Sequence, residues 1–148
     1  MNNHVLNEEE LRIWYMWKGT FRRIWGRIAK DMAEQTGLSE GDYGILDRLE
    51  LLGDGSLRQQ ELADSMEWDK SRLSHHLKRM EKRGLVLRKS LEEDRGVQVL
   101  ITPNGLSALD EARPVVSRAI RKHLLDELTE PDIALIKKLA DRTKQQDK

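Results

Sequence analysis

The chain has 148 residues and no cysteine, and its 26 lysine and arginine residues balance 26 aspartate and glutamate residues. The absence of cysteine excludes structural disulfides, catalytic thiols and thiolate metal ligands. The length suits one domain, and the N-terminal residues show neither a secretion signal nor a run apolar enough to span a bilayer. We therefore expect a cytoplasmic protein that does not associate with membranes.

The first half of the chain begins with two predicted helices. Apolar residues recur every three or four positions from Leu11 to Met32, which predicts a long amphipathic helix ending near Gly37. Ser39 followed by Asp42 has the pattern of a capping box, in which each residue bonds the backbone of the other. A second helix should therefore start at Ser39.

Two shorter helices should follow. The turn-forming run Gly53 to Gly55 ends the second helix, and apolar positions from Leu57 to Met66 outline a third. Asp69 can cap a fourth helix that ends at Gly84. Three apolar residues on one face of this fourth helix should point into the core: Leu73, Leu77 and Met80.

The pattern then changes from helical to extended. Leu85 to Leu87 and Val97 to Ile101 are apolar or alternating runs on either side of a polar tip, Glu92 to Gly96. Such a pattern predicts a β-hairpin.

The remaining sequence is predicted to be helical. Thr102 can cap a helix whose first residue is Pro103, and Pro114 should kink that helix because proline lacks a backbone N–H. Thr129 with Asp132 opens a last helix. The fold class is therefore mainly α (α+β).

The order helix, turn, helix, hairpin between Leu57 and Ile101 is the layout of a winged helix-turn-helix, in which the second helix enters the DNA major groove. Residues 69–89 carry eight basic and two acidic side chains, although the whole chain is neutral. A basic patch on an acidic body orients the approach to a polyanion. The simpler reading is that this is a solvated charged helix face.

Hydrogen-bond donors dominate the predicted outer face of the fourth helix. If its apolar residues point inward, helical geometry places the donors on the opposite face or flanking it. They suit phosphates and guanine edges. These candidate DNA-binding residues are Lys70, Ser71, Arg72, Ser74, His75, Lys78 and Arg79.

Several short motifs together resemble the MarR family of bacterial regulators, over nearly the whole chain. The motifs are Gln59-Gln60-Glu61-Leu62-Ala63, Asp69-Lys70-Ser71-Arg72-Leu73-Ser74, Lys82-Arg83-Gly84-Leu85-Val86, Asp94-Arg95-Gly96-Val97 and Ile101-Thr102-Pro103-Asn104-Gly105. The resemblance implies a winged helix-turn-helix with long flanking helices, and a homodimer whose first and last helices intertwine.

Carried over by position, the recognition helix is Asp69 to Arg83, the wing is Arg88 to Val99, and Arg95 matches the wing arginine. Lys89 is a further candidate DNA-binding residue on the wing. Two residues depart from the family pattern: Glu93 stands where the wing aspartate is usual, and His76 stands at a usually apolar position. His76 should therefore lie at a helix–helix contact or be partly exposed.

The flanking helices carry more apolar surface than a small winged domain can cover, which favours a second copy as partner over intramolecular packing alone. We expect one MarR-like domain over residues 1–148. Within it, residues 1–37 and 103–148 would form the helical dimerisation region and residues 39–101 the DNA-binding region.

The first helix is rich in aromatic residues. Relatives of this kind often bind phenolic or aromatic ligands near the dimer junction, so Trp14, Trp17 and Phe21 are tentative ligand contacts. An aromatic stripe at helical spacing is more often packing, so we expect a core role first. Trp68 should pack against the turn before the recognition helix.

The sequence does not indicate an enzyme. It lacks a nucleophile–base arrangement and a phosphate-cradling glycine loop. Its four histidines lack the spacing of a metal site, so no cofactor or metal is expected. They are His4, His75, His76 and His123.

The sequence therefore predicts a homodimeric, sequence-specific transcriptional regulator. Its partner would be double-stranded DNA with a pseudo-palindromic operator. It would act as a repressor released by a small-molecule effector. The alternative is a winged-helix protein–protein interaction module without DNA binding, which should expose apolar groups on the recognition helix.

Overall fold

The computed structural model describes residues 5–93 and 96–147, which form six α-helices and three strands. The helices are α1 (Glu8–Thr36), α2 (Glu40–Gly53), α3 (Gln59–Met66), α4 (Lys70–Lys82), α5 (Pro103–His123) and α6 (Glu130–Gln146). The strands are β1 (Ser56–Arg58), β2 (Val86–Ser90) and β3 (Val97–Ile101). The expected fold class, mainly α with a small sheet, is confirmed.

The chain divides into two compact units. The winged unit is Ala29–Ser117, and the terminal-helix unit is Met1–Ile28 together with Arg118–Lys148. Helices α1 and α5 each contribute residues to both units.

The winged unit contains the antiparallel sheet, with strand order β1-β3-β2. Strand β1 corrects the sequence prediction, because Leu57 lies in this strand opposite Val99 and not in α3. Gly55, at a φ of 105°, sends the chain into the sheet, and its carbonyl accepts a hydrogen bond from the N–H of Ile101 at 2.9 Å. Pairing with a strand more than 40 residues away overrides the helical pattern of Leu57.

Capping residues define the helix starts as predicted. Ser39 and Asp42 form a full capping box at α2, and the Asp69 side chain accepts a hydrogen bond from the N–H of Arg72 at 2.8 Å. The Thr102 hydroxyl accepts from the N–H of Gly105 at 2.9 Å at the start of α5. These bonds satisfy N–H groups that the first helical turn leaves without partners.

The core of the winged unit brings together one face of each helix and strand. Its fully buried side chains include Ile45, Leu46, Leu49, Leu62, Leu73, Leu77, Met80, Val86, Val99 and Leu109. All three predicted inward residues of α4 belong to this core, so the opposite face of α4 points outward.

The terminal-helix unit is built differently. Every residue of α6 is exposed, and α1 exposes most of its apolar side chains up to Trp25. Trp17 and Phe21 are 59% and 61% exposed, so the expected core role of the aromatic stripe is wrong for the single chain. A short 3-10 turn, Leu125–Glu127, precedes α6 and was not predicted.

Helix α5 runs continuously through Pro114. In the part of the chain that the structure describes, no helix has the length and apolarity that a membrane span requires.

Candidate nucleic-acid interface

Helix α4 separates apolar from cationic side chains. Leu73, Leu77 and Met80 are fully buried, whereas six of the seven candidate residues on this helix are exposed. The exposed six are Lys70, Ser71, Arg72, His75, Lys78 and Arg79. The structure therefore brings these polar groups together on one surface, as helical periodicity predicts.

Ser74, the seventh candidate, occupies a different environment. It is partly buried, and its hydroxyl accepts a hydrogen bond from Nη1 of Arg88 at 3.2 Å. Nε of Arg88 also donates to Oε1 of Glu81 at 2.6 Å. Arg88 lies on β2, so these bonds attach the first wing strand to one flank of α4, and Ser74 lies at that junction.

The opposite flank of α4 is attached to the start of α2 through Asp42. This carboxylate is 4% exposed and accepts hydrogen bonds from His76 Nε2 at 2.8 Å, from Arg83 Nη1 at 2.7 Å and from the Ser39 N–H at 2.9 Å. His76 therefore lies at a helix–helix contact, one of the two environments expected for it. The second nitrogen of the Arg83 fork, Nη2, donates to the carbonyl of Gly37 at 3.0 Å.

The Asp42 carboxylate remains ionised despite its burial. Burial alone would raise its pKa, but the hydrogen bonds from His76, Ser39 and Arg83, with the positive charge of Arg83, hold the pKa well below its usual range. A buried carboxylate in this state requires its donors, because an unpaired buried charge is costly.

Trp68, which directly precedes the N-cap residue of α4, packs against the core and contacts two α4 side chains. The Arg72 guanidinium lies 4.0 Å from the centre of the indole ring, and the His76 ring meets the indole edge-on at 5.3 Å between ring centres. Arg72 is thus held by a cation–π contact while it stays exposed.

The structure describes some of the residues of the predicted wing. Lys89 is exposed on β2 and pairs with Gln98 of β3. Glu93 adopts a positive φ of 59°. Arg95 and its neighbour Asp94 lie outside the described residues, so the role of Arg95 stays a prediction.

Sequence reasoning missed the residues that hold α4 in place: Asp42, Glu81 and Arg88 have a structural role that the sequence did not reveal. Asp42 was identified only as a capping residue, and its partner Arg83 lies 41 residues away. A local pattern carries no signal for contacts of that sequence separation.

The tentative ligand residues lie in the terminal-helix unit, along two open grooves. Trp14 and Trp17 line a groove of about 450 Å³ together with Leu6, Glu10, Ile13 and Leu139. Phe21 stacks on Trp25 with 6.2 Å between ring centres, and both line a groove of about 400 Å³ with Trp17, Lys18, Arg22 and Gly26. Trp17 borders both grooves, so the three aromatics form a continuous exposed surface.

No group of three or more histidine, aspartate or glutamate side chains that could hold a metal ion occurs within residues 5–93 and 96–147. His4 lies outside these residues.

Comparisons with known proteins find a family that part of this chain resembles. The model of the MarR family matches residues 38–95, the span that contains α2, α3, α4 and β2. A comparison with curated proteins found no match.

Solved structures match over nearly the whole chain. AbsC, a MarR family transcriptional regulator from Streptomyces coelicolor, is 29% identical with a TM-score of 0.87, covering 97% of each chain. Sco3205, a MarR family transcriptional regulator from the same organism solved in complex with DNA, is 26% identical with a TM-score of 0.88, covering 97% of this chain and 91% of Sco3205. The organohalide-sensing regulator RdhR-CbdbA1625, solved with 2,4-dichlorophenol bound, shares the fold at 18% identity and a TM-score of 0.77, covering 99% of this chain and 88% of its own.

The matched family and these structures are transcriptional regulators and not enzymes, which agrees with the sequence prediction. The family model over residues 38–95 and the solved structures of AbsC and Sco3205 make this chain similar to MarR family transcriptional regulators.

Proposed function

We propose that this regulator is a homodimer that binds a pseudo-palindromic operator in double-stranded DNA through α4 and the wing, and that it represses transcription until a small-molecule effector releases it. The observation that carries the proposal is the surface of α4. Three apolar residues anchor the helix, and cationic and hydroxyl groups cover its outer face.

The chemistry of this face favours DNA over a protein partner. A protein-binding helix exposes apolar or aromatic groups at the centre of its contact surface. Here the exposed candidates are two lysines, two arginines, a serine and a histidine. Lysine and arginine bind phosphates and guanine edges, and serine and histidine bond to bases or backbone.

The solved DNA complex of Sco3205, at 26% identity, supports DNA as the partner. We assign Lys70, Ser71, Arg72, His75, Lys78 and Arg79 to the major groove, with Ser74 at the edge of that contact. Lys89 and Arg95 would reach the DNA backbone or minor groove from the wing. A protein that acts on bacterial DNA works in the cytoplasm.

Exposed apolar side chains support the homodimer. In the terminal-helix unit Ile13, Trp17, Leu135 and Ile136 are about half exposed or more. Monomeric proteins rarely leave so large an apolar surface in water. We therefore assign residues 1–37 and 103–148 to dimerisation and residues 39–101 to DNA binding.

The effector part of the proposal depends on the aromatic grooves. Trp14, Trp17 and Phe21 offer flat apolar surfaces, with Lys18 and Arg22 beside the second groove. Such a lining suits an aromatic anion, since rings stack on aromatic side chains and cations attract the charge. The 2,4-dichlorophenol complex of RdhR-CbdbA1625 illustrates a phenolic ligand on the same fold.

Selection of bound duplexes from a random DNA pool tests the proposal. We expect an enriched palindromic motif with two half-sites about one helical turn apart. Affinity should fall steeply with salt because phosphate contacts release counterions. Repeating the selection with phenol, benzoate and chlorophenols tests release. Recovery of random sequences, with no salt dependence, would contradict DNA recognition.

A further inference from the structure

His76 connects the buried carboxylate of Asp42 to an exposed arginine of α4. Its Nε2 lies 2.8 Å from Oδ1 of Asp42, and its Nδ1 lies 3.2 Å from Nη2 of Arg79. The His76 side chain is largely buried, whereas Arg79 is exposed. The contacts thus run from the interior of the winged unit to the surface proposed to bind DNA.

The partners of the ring determine where its proton resides. A guanidinium has no acceptor, so Arg79 must donate and Nδ1 must accept. The Asp42 carboxylate, ionised as described above, can only accept, so Nε2 must carry the proton. The ring is therefore the neutral Nε2–H tautomer, and Asp42 keeps the acceptor nitrogen turned toward Arg79.

Packing holds the ring in this orientation. A Cβ on Gly41 would lie 2.7 Å from Cε1 of His76 and 2.9 Å from Cη2 of Trp68. These distances are shorter than real Cβ contacts, so only glycine allows both rings to lie against the start of α2. Trp68 also contacts the ring, with 5.3 Å between ring centres and an angle of 62° between the ring planes.

We propose that His76, held by Asp42, is a positioning residue that orients the Arg79 guanidinium for contact with the DNA backbone. This inference rests on the proposed function. An arginine fixed before binding loses less side-chain entropy when it meets a phosphate, so the oriented guanidinium binds more tightly. His76 itself need not touch DNA.

NMR of the unmutated protein tests the first step. The ¹⁵N shifts of His76 at pH 7.5 should show a protonated Nε2 and an unprotonated Nδ1. A protonated Nδ1 would overturn the proposal, since Arg79 could then not donate to it.

A double-mutant cycle tests the second step, on a duplex recovered by selection. In H76Q the side-chain amide can donate to Asp42 from the position of Nε2, but it offers Arg79 no acceptor at the position of Nδ1. We expect R79A and H76Q each to weaken binding roughly fivefold, and H76Q to have no further effect when R79A is present. Thermal unfolding checks that each variant folds.

K78A provides the matched control. Lys78 is exposed on the same helix, about 200° around the axis from His76. K78A should weaken DNA binding by itself. The fold-loss of affinity in the K78A/H76Q double variant should equal the product of the two single losses. If H76Q weakens DNA binding by the same factor with and without R79A, then H76Q acts by loosening α4 as a whole and the proposal is wrong.

G41A displaces the ring without removing a polar group, which gives a second route if H76Q does not fold. It should weaken DNA binding less in the R79A background than in the wild-type background, and any loss that persists without Arg79 reflects the displaced Trp68 and its contact with Arg72. If G41A weakens DNA binding by the same factor with and without R79A, the inference is wrong. If R79A and K78A both leave DNA affinity unchanged, the proposed function fails first and the inference with it.

Discussion

The winged unit and the terminal-helix unit use apolar residues in opposite ways. In the winged unit they converge on one core, where side chains such as Leu62 and Leu77 are fully buried. In the terminal-helix unit Trp14, Trp17 and Ile136 remain about half exposed. The sequence shows the same amphipathic period in both regions, so periodicity alone does not reveal whether a face is covered by its own chain.

The comparison separates two sources of stability. The winged unit gains its hydrophobic free energy within one chain, whereas the exposed apolar faces of the terminal-helix unit would gain it in the proposed homodimer. Substitutions should therefore change the free energy of unfolding in the first case and the association constant in the second.

Leu77→Ala should have the largest effect on stability. Leu77 is fully buried, and deletion of its side chain leaves a cavity, so we expect a loss of about 3 to 4 kcal/mol in the free energy of unfolding. Urea denaturation measures it. Leu51→Ala is the matched control, because Leu51 is 70% exposed in the same unit and should cost below about 0.5 kcal/mol. Equal losses would contradict the described core.

Asp42→Asn should destabilise the winged unit by about 2 kcal/mol at pH 7, less than a fully buried ion pair because Arg83 is partly exposed. The folded pKa of Asp42 is depressed, so its contribution is present above the unfolded pKa of about 4 and is lost as the pH falls toward the folded pKa. The stability difference between wild type and Asp42→Asn should stay constant from pH 7 to about 5 and shrink below about pH 4.

Asp47→Asn provides the control on the same helix. Asp47 pairs with Arg113 at 3.5 Å at a more exposed position, so its removal should cost below about 1 kcal/mol. If the two variants show the same stability and the same pH profile, the hydrogen bonds of Asp42 do not contribute the expected free energy of unfolding.

Ile136→Lys should act on association. Ile136 is 48% exposed, so the change leaves the folding of one chain nearly intact but places a charge on the proposed dimer surface. We expect at least tenfold weaker dimerisation by sedimentation, about 1.4 kcal/mol. Lys137→Ala, a charge on the same helix, is the control. A wild-type protein that sediments as a monomer would contradict the homodimer.

Lys89→Ala should have the smallest effect. Lys89 is exposed on β2, so its loss should remove about one phosphate contact and weaken binding to all duplexes alike. The slope of log affinity against log salt should become shallower by about 0.9. His75→Ala is the comparison variant, because loss of a base contact should alter the preferred bases. A Lys89→Ala variant with changed base preference would contradict backbone contact.

Local patterns predicted most of the helices and the hairpin, because caps and periodicity act over a few residues. Ser39, Asp69 and Thr102 each start a helix by bonding within three positions. The outward face of α4 followed from the same local rule. Strand β1 was missed because Leu57 is held by Val99, 42 residues later.

The partners that attach α4 were missed for the same reason. Arg88 reaches Ser74 over 14 residues, and although a helix–helix contact was one of the two environments expected for His76, its partner Asp42 lies 34 residues away. A hydroxyl on the predicted outer face, such as that of Ser74, can bond to DNA or to its own protein equally well, and only the folded chain distinguishes the two.

If α4 reads an operator as proposed, its attachment on both flanks limits how the protein can be retargeted to a new sequence. Replacing the helix with one from a relative would leave Arg88 facing side chains other than Ser74 and Glu81, and Asp42 buried without His76. An engineered specificity swap should therefore transplant the supporting residues of α2 and β2 along with the helix. Exchanging only the outermost residues Ser71, His75 and Lys78 offers the conservative alternative.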